Sequence, residues 1–144
     1  MTELTYPEVQ SVPYRQAALL NNTGCGCGQR AVTHQNGFGN VTLRGGSKYL
    51  VIYSCNIAVG EGETVGEIGV GITVNGEIVT DSVASVTPAA VGDFWNASGF
   101  KIIIVPCGCC RDIAIENISP ASGTTPNPTI DMRNLNVGVI RLNS

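Results

Sequence analysis

The chain carries six cysteines, and five of them fall in two short clusters: Cys25 and Cys27 in TGCGCG, and Cys107, Cys109 and Cys110 in VPCGCC. Thiols this close can form disulfides, hold a soft metal ion or stay free. Four thiolates would satisfy tetrahedral zinc, but structural zinc sites space their ligands two to four residues apart so that a knuckle wraps the ion. Cys-x-Cys on a strand instead sets both sulfurs on one face with α-carbons about 7 Å apart. The spacing therefore favours disulfides over a metal or free thiols, and neither metal nor cofactor is expected.

Adjacent Cys109 and Cys110 point to opposite faces of a strand, so one partner thiol cannot serve both. Strand parity groups Cys109 with Ile113 and Ile115, and Cys110 with Asp112 and Glu116 on the outward side. An outward Cys110 is placed for a bond between subunits, and the TGCGCG loop can bring Cys25 or Cys27 to VPCGCC of the same or a neighbouring chain. If such bonds form, the compartment is oxidising or the particle extracellular.

Catalysis is not expected. His34 in AVTHQNG is the only histidine and reads as a surface or capping residue. Neither cysteine cluster opens a helix, the setting that lowers a thiol pKa for redox work. The glycines of residues 24–28, 37–39 and 45–46 form turns rather than a phosphate cradle, because no helix follows them.

The elements that must position the cysteines read as strands. A chain of 144 residues fits one domain with a real core, so cross-links add to the fold rather than replace it. Residues 1–13 (MTELTYPEVQSVP) form a polar arm that Pro7 and Pro13 keep extended. The expectation is that Tyr6, Val9 and Val12 dock this arm on a neighbouring subunit, adding a strand to its sheet edge. Residues 14–144 then make one jelly-roll domain.

Within it, strands are expected at Val41–Arg44, Tyr49–Val59, Ile68–Val74, Ile78–Val86, Phe100–Val105, Arg111–Ile118 and Leu135–Leu142. Asn75-Gly76 supplies a two-residue hairpin turn. Tyr49, Val51, Tyr53, Cys55 and Ile57 share one face, which makes Cys55 a core thiol. About eight apolar-alternating strands imply an all-β fold of two packed antiparallel sheets. Thr87-Pro88 can open a single helical turn over Ala89–Phe94, and Phe94 and Trp95 beside it either cap an open end of the sandwich or anchor a subunit contact.

A formal charge of -3 with basic residues spread along the chain argues against nucleic acid. The first 15 residues do not read as a secretory signal, and the apolar runs are strand-sized, so no membrane partner is expected. The Asn-x-Ser/Thr triplets at Asn21, Asn40, Asn96 and Asn117 are expected to be chance matches.

KYLVIYSCNIAV, FKIIIVPCGCCRDIAIEN and TIDMRNLNVGVIRL resemble strands of tumour necrosis factor-like and complement-type globular heads. In those heads a Gly-x-Tyr-x-Val strand comes early; here two residues separate Gly46 from Tyr49. More narrowly, YPEVQ, VTLRG, NIAV, VTPAAVGDFWN and VPCGCC with IEN are similar to a family of small proteins of gut Firmicutes and their prophages. The resemblance implies a jelly-roll surface or virion component without enzymatic activity. The expected function is a structural subunit of an extracellular assembly, foremost a phage head decoration or fibre protein, forming a homo-oligomer as a trimer or helical polymer. Such a subunit would sit in a virion or on a cell or spore surface, beside other virion or surface proteins. The alternatives are a disulfide-linked bacterial or spore surface filament, and a carbohydrate- or receptor-binding module using Tyr6, Tyr14, Phe38, Phe94 or Trp95.

Overall fold

The computed structural model describes residues 2–22, 31–120 and 127–143. Among the described residues twelve strands follow one another: β1 (Thr2–Tyr6), β2 (Gln10–Val12), β3 (Asn21–Asn22), β4 (Val32–His34), β5 (Val41–Arg44), β6 (Ser47–Val59), β7 (Ile68–Val74), β8 (Glu77–Ile78), β9 (Ala84–Val86), β10 (Trp95–Val105), β11 (Cys110–Asn117) and β12 (Ile130–Asn143). They build two antiparallel six-stranded sheets. One has the order β10-β6-β12-β1-β3 with β2 also on β12, and the other β4-β5-β11-β7-β8 with β9 also on β7. This is a jelly-roll sandwich, with the core between the sheets.

The alternation on β6 sets that core. Tyr49, Val51, Tyr53, Cys55 and Ile57 are all buried, and their partners Val137, Val139 and Met132 on β12 are buried with them. Two tyrosines can lie this deep because their hydroxyls find carbonyls: Tyr49 donates to Arg44 O at 2.7 Å, and Tyr53 donates to Ser82 O. The Asn75-Gly76 turn closes the β7–β8 hairpin with both residues at positive φ, 50° and 84°, as a two-residue turn of this hand demands.

Four expectations need correction. The arm does not leave its domain: Thr2–Tyr6 pairs along β12 from Val139 to Leu135, and Gln10–Val12 pairs with Met132–Ile130. Leu4 and Val12 are buried in the chain's own core, so Val12 is no surface contact, while Tyr6 packs partly against that core and Val9 is exposed. Backbone pairing decided this, because β12 presents a free edge to which even a polar strand can bond. Residues 87–94 form bends and a turn rather than a helical turn, with Gly92 at φ 79°. The strand expected over Ile78–Val86 is broken by a 3-10 turn at Thr80–Ser82, held where the Ser82 hydroxyl accepts from Ile72 N–H at 2.9 Å.

The fourth correction concerns β11 parity. Cys109 precedes the strand and is exposed rather than grouped with Ile113 and Ile115. Glu116, expected outward, is 8% exposed because residues 14–18 pair along β11 beyond the end of β5. Arg15 then reaches Glu116 Oε1 at 3.1 Å and the Thr73 hydroxyl donates to Oε2 at 2.8 Å.

Candidate functional site

The outer face of the first sheet divides into two zones. Residues at even positions of β10 and β6 point away from the core, and the register lines them up in rows. Phe100 lies opposite Ile52, Ile102 opposite Leu50, and Leu50 opposite Ile140 on β12. Phe100 and Ile104 are each 64% exposed, Ile102 49% and Ile52 42%. Further along the same strands the rows turn polar: Ser98 beside Ser54 beside Asn136, then Asn96 beside Asn56 beside Arg133. β10 is also an edge strand, and its middle is shielded by the Thr80–Ser82 turn, with Lys101 paired to Asp81 at 2.5 Å. The edge is thus covered and charged, while the apolar zone on the outward face stays exposed, the kind of patch that can receive another molecule. The sequence carried this signal in FKIIIV, whose alternate residues exceed what one core face can take.

β10 runs from that zone directly into the cysteine turn. Cys109 N–H donates to Pro106 O at 3.2 Å around Gly108, which sits at φ 77° as position three of such a turn requires. Gly45 packs so tightly under the turn that any side chain there would strike the Pro106 and Cys109 carbonyls. Cys107, Cys109 and Cys110 are exposed with free thiols, and Cys110 opens β11 opposite Arg44. Arg44 faces Cys110 and Arg111 follows it, while Lys48 lies opposite Ile104 and Arg141 donates to Ser47 at 2.7 Å at the same end of the sheet. Cys25 and Cys27 lie outside the described residues. Among the described residues no three His, Cys, Asp or Glu side chains converge to hold a metal ion.

The remaining candidates are spread over the molecule. Cys55 is buried, its thiol donates to Ala97 O at 3.6 Å, and burial pushes its pKa up to about 12. His34 ends β4 and its Nε2–H donates to Phe38 O at 2.7 Å. At the opposite end of β10 from the cysteines, Trp95 is 51% exposed and donates to Asp93 at 2.8 Å, while Arg133 stacks over the Phe94 ring at 4.0 Å. Asn117 is fully buried and bonds Val12 O and Pro128 O, each at 2.8 Å, so its triplet serves the fold. On the outer face of the second sheet, Thr33, His34, Gln35, Phe38, Asn40 and Thr42 line an open hollow of about 450 Å³.

No family model and no curated protein matches this chain. Solved structures do. The globular domain of a zebrafish complement 1qA protein aligns with a TM-score of 0.66 at 11% identity, covering 99% of this chain and 96% of that one. An Eiger TNF from S. frugiperda aligns with a TM-score of 0.71 at 10% identity, covering 100% of this chain and 93% of that one. At such identities the likeness establishes a shared fold, the jelly roll of TNF- and C1q-like domains.

Proposed function

We propose that this chain is a non-enzymatic structural subunit that assembles with further copies of itself through the apolar zone of β10, β6 and β12. The observation that carries the reading is the row set of Phe100, Ile102, Ile104, Ile52, Leu50 and Ile140, continuous across three strands on a face away from the core. A second copy is the occupant the chemistry favours. None of the six apolar residues is charged, and the charges at the margins are of opposite sign, Lys48 opposite Ile104 and Glu3 opposite Gly138, so two such faces meet without a block of like charge, whatever the chain's net charge of -3. In its finer form the proposal is a virion head decoration or fibre with three copies around an axis, the role implied by the resemblance of YPEVQ, VTPAAVGDFWN and VPCGCC to small proteins of gut Firmicutes and their prophages. The test is light scattering under reducing conditions on the full chain and on Ile102→Asp. The full chain is expected as an oligomer and the variant, still folded by circular dichroism, as a monomer; a full chain that stays a 15.0 kDa monomer at micromolar concentration overturns the reading.

One observation favours a second reading, carbohydrate binding on the other sheet. Phe38 is 55% exposed and lines the hollow together with the amides of Gln35 and Asn40, an aromatic ring and polar groups of the kind that hold a sugar. Glycan-array binding that disappears in Phe38→Ala would favour it, and a blank array would remove it.

A further inference from the structure

We propose that the Pro106–Cys110 turn is a covalent staple between copies of this chain: thiols of two neighbouring turns join once the apolar zones have docked, with a small disulfide such as oxidised glutathione as the oxidant. The inference rests on the assembly reading and adds to it a place, a chemistry and an order of events.

Continuity along β10 supplies the place. Ile104 is the last outward residue of the apolar rows, and the turn begins two residues later, so docking through that zone about an axis parallel to β10, as in the proposed trimer, brings the turns of adjacent copies to one pole. The turn is also a fixed platform. Gly45 beneath it, the Cys109 N–H bond to Pro106 O, and the Gly46 N–H bond to Val105 O at 2.8 Å hold its backbone, so the thiols are presented rather than tucked away.

Local geometry closes off the nearest pairing within one turn. Cys109 and Cys110 are neighbours across a trans peptide, with α-carbons about 3.8 Å apart, short of the roughly 4.4 Å at which disulfides begin. Charge selects the oxidant. Arg44 opposite Cys110 and Arg111 next to it place two cationic groups beside the thiols against one acid, Asp112, which draws an anionic disulfide toward them.

The chemistry balances as two exchanges. A thiolate of one copy attacks glutathione disulfide, forming a mixed disulfide and releasing one glutathione thiolate. The neighbouring copy's thiolate then attacks the protein sulfur of that mixed disulfide and releases the second. Two protein thiols are oxidised to one disulfide, one glutathione disulfide is reduced to two thiols, and the two protons pass to the leaving thiolates. Docking raises the effective concentration of the second thiol to about the millimolar range, against micromolar protein in solution, so the assembled form should close the bond at least ~100-fold faster.

The experiment incubates the full chain, Ile102→Asp, and a Cys107→Ser/Cys109→Ser/Cys110→Ser variant with oxidised glutathione. Free thiols are then alkylated, and non-reducing gels and peptide mapping follow. The expected result is interchain-linked full chain mapped to Cys107, Cys109 or Cys110, linkage at least ~100-fold slower in Ile102→Asp, and none in the triple variant. Light scattering in reductant is run in parallel. An oligomer there with no interchain bond after oxidation overturns the staple and leaves the assembly reading standing. A monomer there overturns both. Bridges confined to one chain, including bridges from the turn to Cys25 or Cys27, or linkage equally fast in Ile102→Asp, overturn the staple.

Discussion

Arg15 holds Glu116 through a 3.1 Å contact that spans 101 residues of sequence, and Thr73 supplies the other carboxylate oxygen with a 2.8 Å hydrogen bond. The carboxylate is nearly buried, with 11% of its side chain exposed against 37% for Arg15. Removing the arginine strands a charge in a place water barely reaches, whereas removing the charge leaves a neutral amide that can still bond Thr73. Arg15→Ala is therefore expected to lose about 1–3 kcal/mol in denaturant unfolding, and Arg15→Ala with Glu116→Gln to lose less than the single Arg15 variant. An equal or larger loss in the double variant would show that Arg15 acts through packing alone.

Stability should fall as alkali is added. Burial raises the Cys55 pKa from 9.0 to about 12, and burial with the neighbouring Cys55 raises Tyr53 as well. Between those Cys55 values the unfolded chain has lost a proton that the folded chain keeps, so the group's contribution is full below pH 9 and drains as pH rises toward the folded pKa. The slope expected from Cys55 is about 1.4 kcal/mol per pH unit. Urea unfolding at successive pH values above 9 should show it in the full chain and lose most of it in Cys55→Ala until Tyr53 takes over.

The support under the cysteine turn can be broken from below. Gly45→Ala places a methyl against the Pro106 and Cys109 carbonyls, and the backbone has to shift to admit it. A loss of about 1–3 kcal/mol in unfolding free energy is expected. Nearly unchanged stability would mean that the turn is loosely held.

Deleting residues 1–13 is expected to cost folding before it costs assembly. The deletion removes the pairing of β1 and β2 with β12 and takes Leu4 and Val12 from the core. Leu4→Ala alone should cost about 2–5 kcal/mol. A truncated chain that melts like the full one would show that these strands are dispensable.

The sequence carried the core of the fold because its strongest strands alternate cleanly. The SKYLVIYSCNIAV run buries its odd positions as period two demands, and Asn75-Gly76 can close a hairpin because both residues tolerate positive φ. β1 was harder to read. TELTY holds only Leu4 and Tyr6 as apolar residues, and what makes it a strand is an edge of β12 far away in sequence, which no local pattern announces. Glu116 misled for a related reason, since the cover supplied by residues 14–18 is tertiary. The apolar zone was visible in composition, but only the register β10-β6-β12 shows that its residues form one surface.

β12, last of the strands in chain order, lies between β6 on one side and β1 with β2 on the other. Ribosomal synthesis therefore delivers β1 roughly 130 residues ahead of its partner, an interval of about 7 to 25 seconds at ordinary elongation rates. Once Val105 has been made, β6 and β10 can pair, but until β12 follows their sheet lacks its middle and shows apolar side chains on both faces. A nascent chain is thus stickiest between the making of β10 and that of β12, and its yield in cells should depend on chaperone supply and low growth temperature more than on the stability of the folded sandwich.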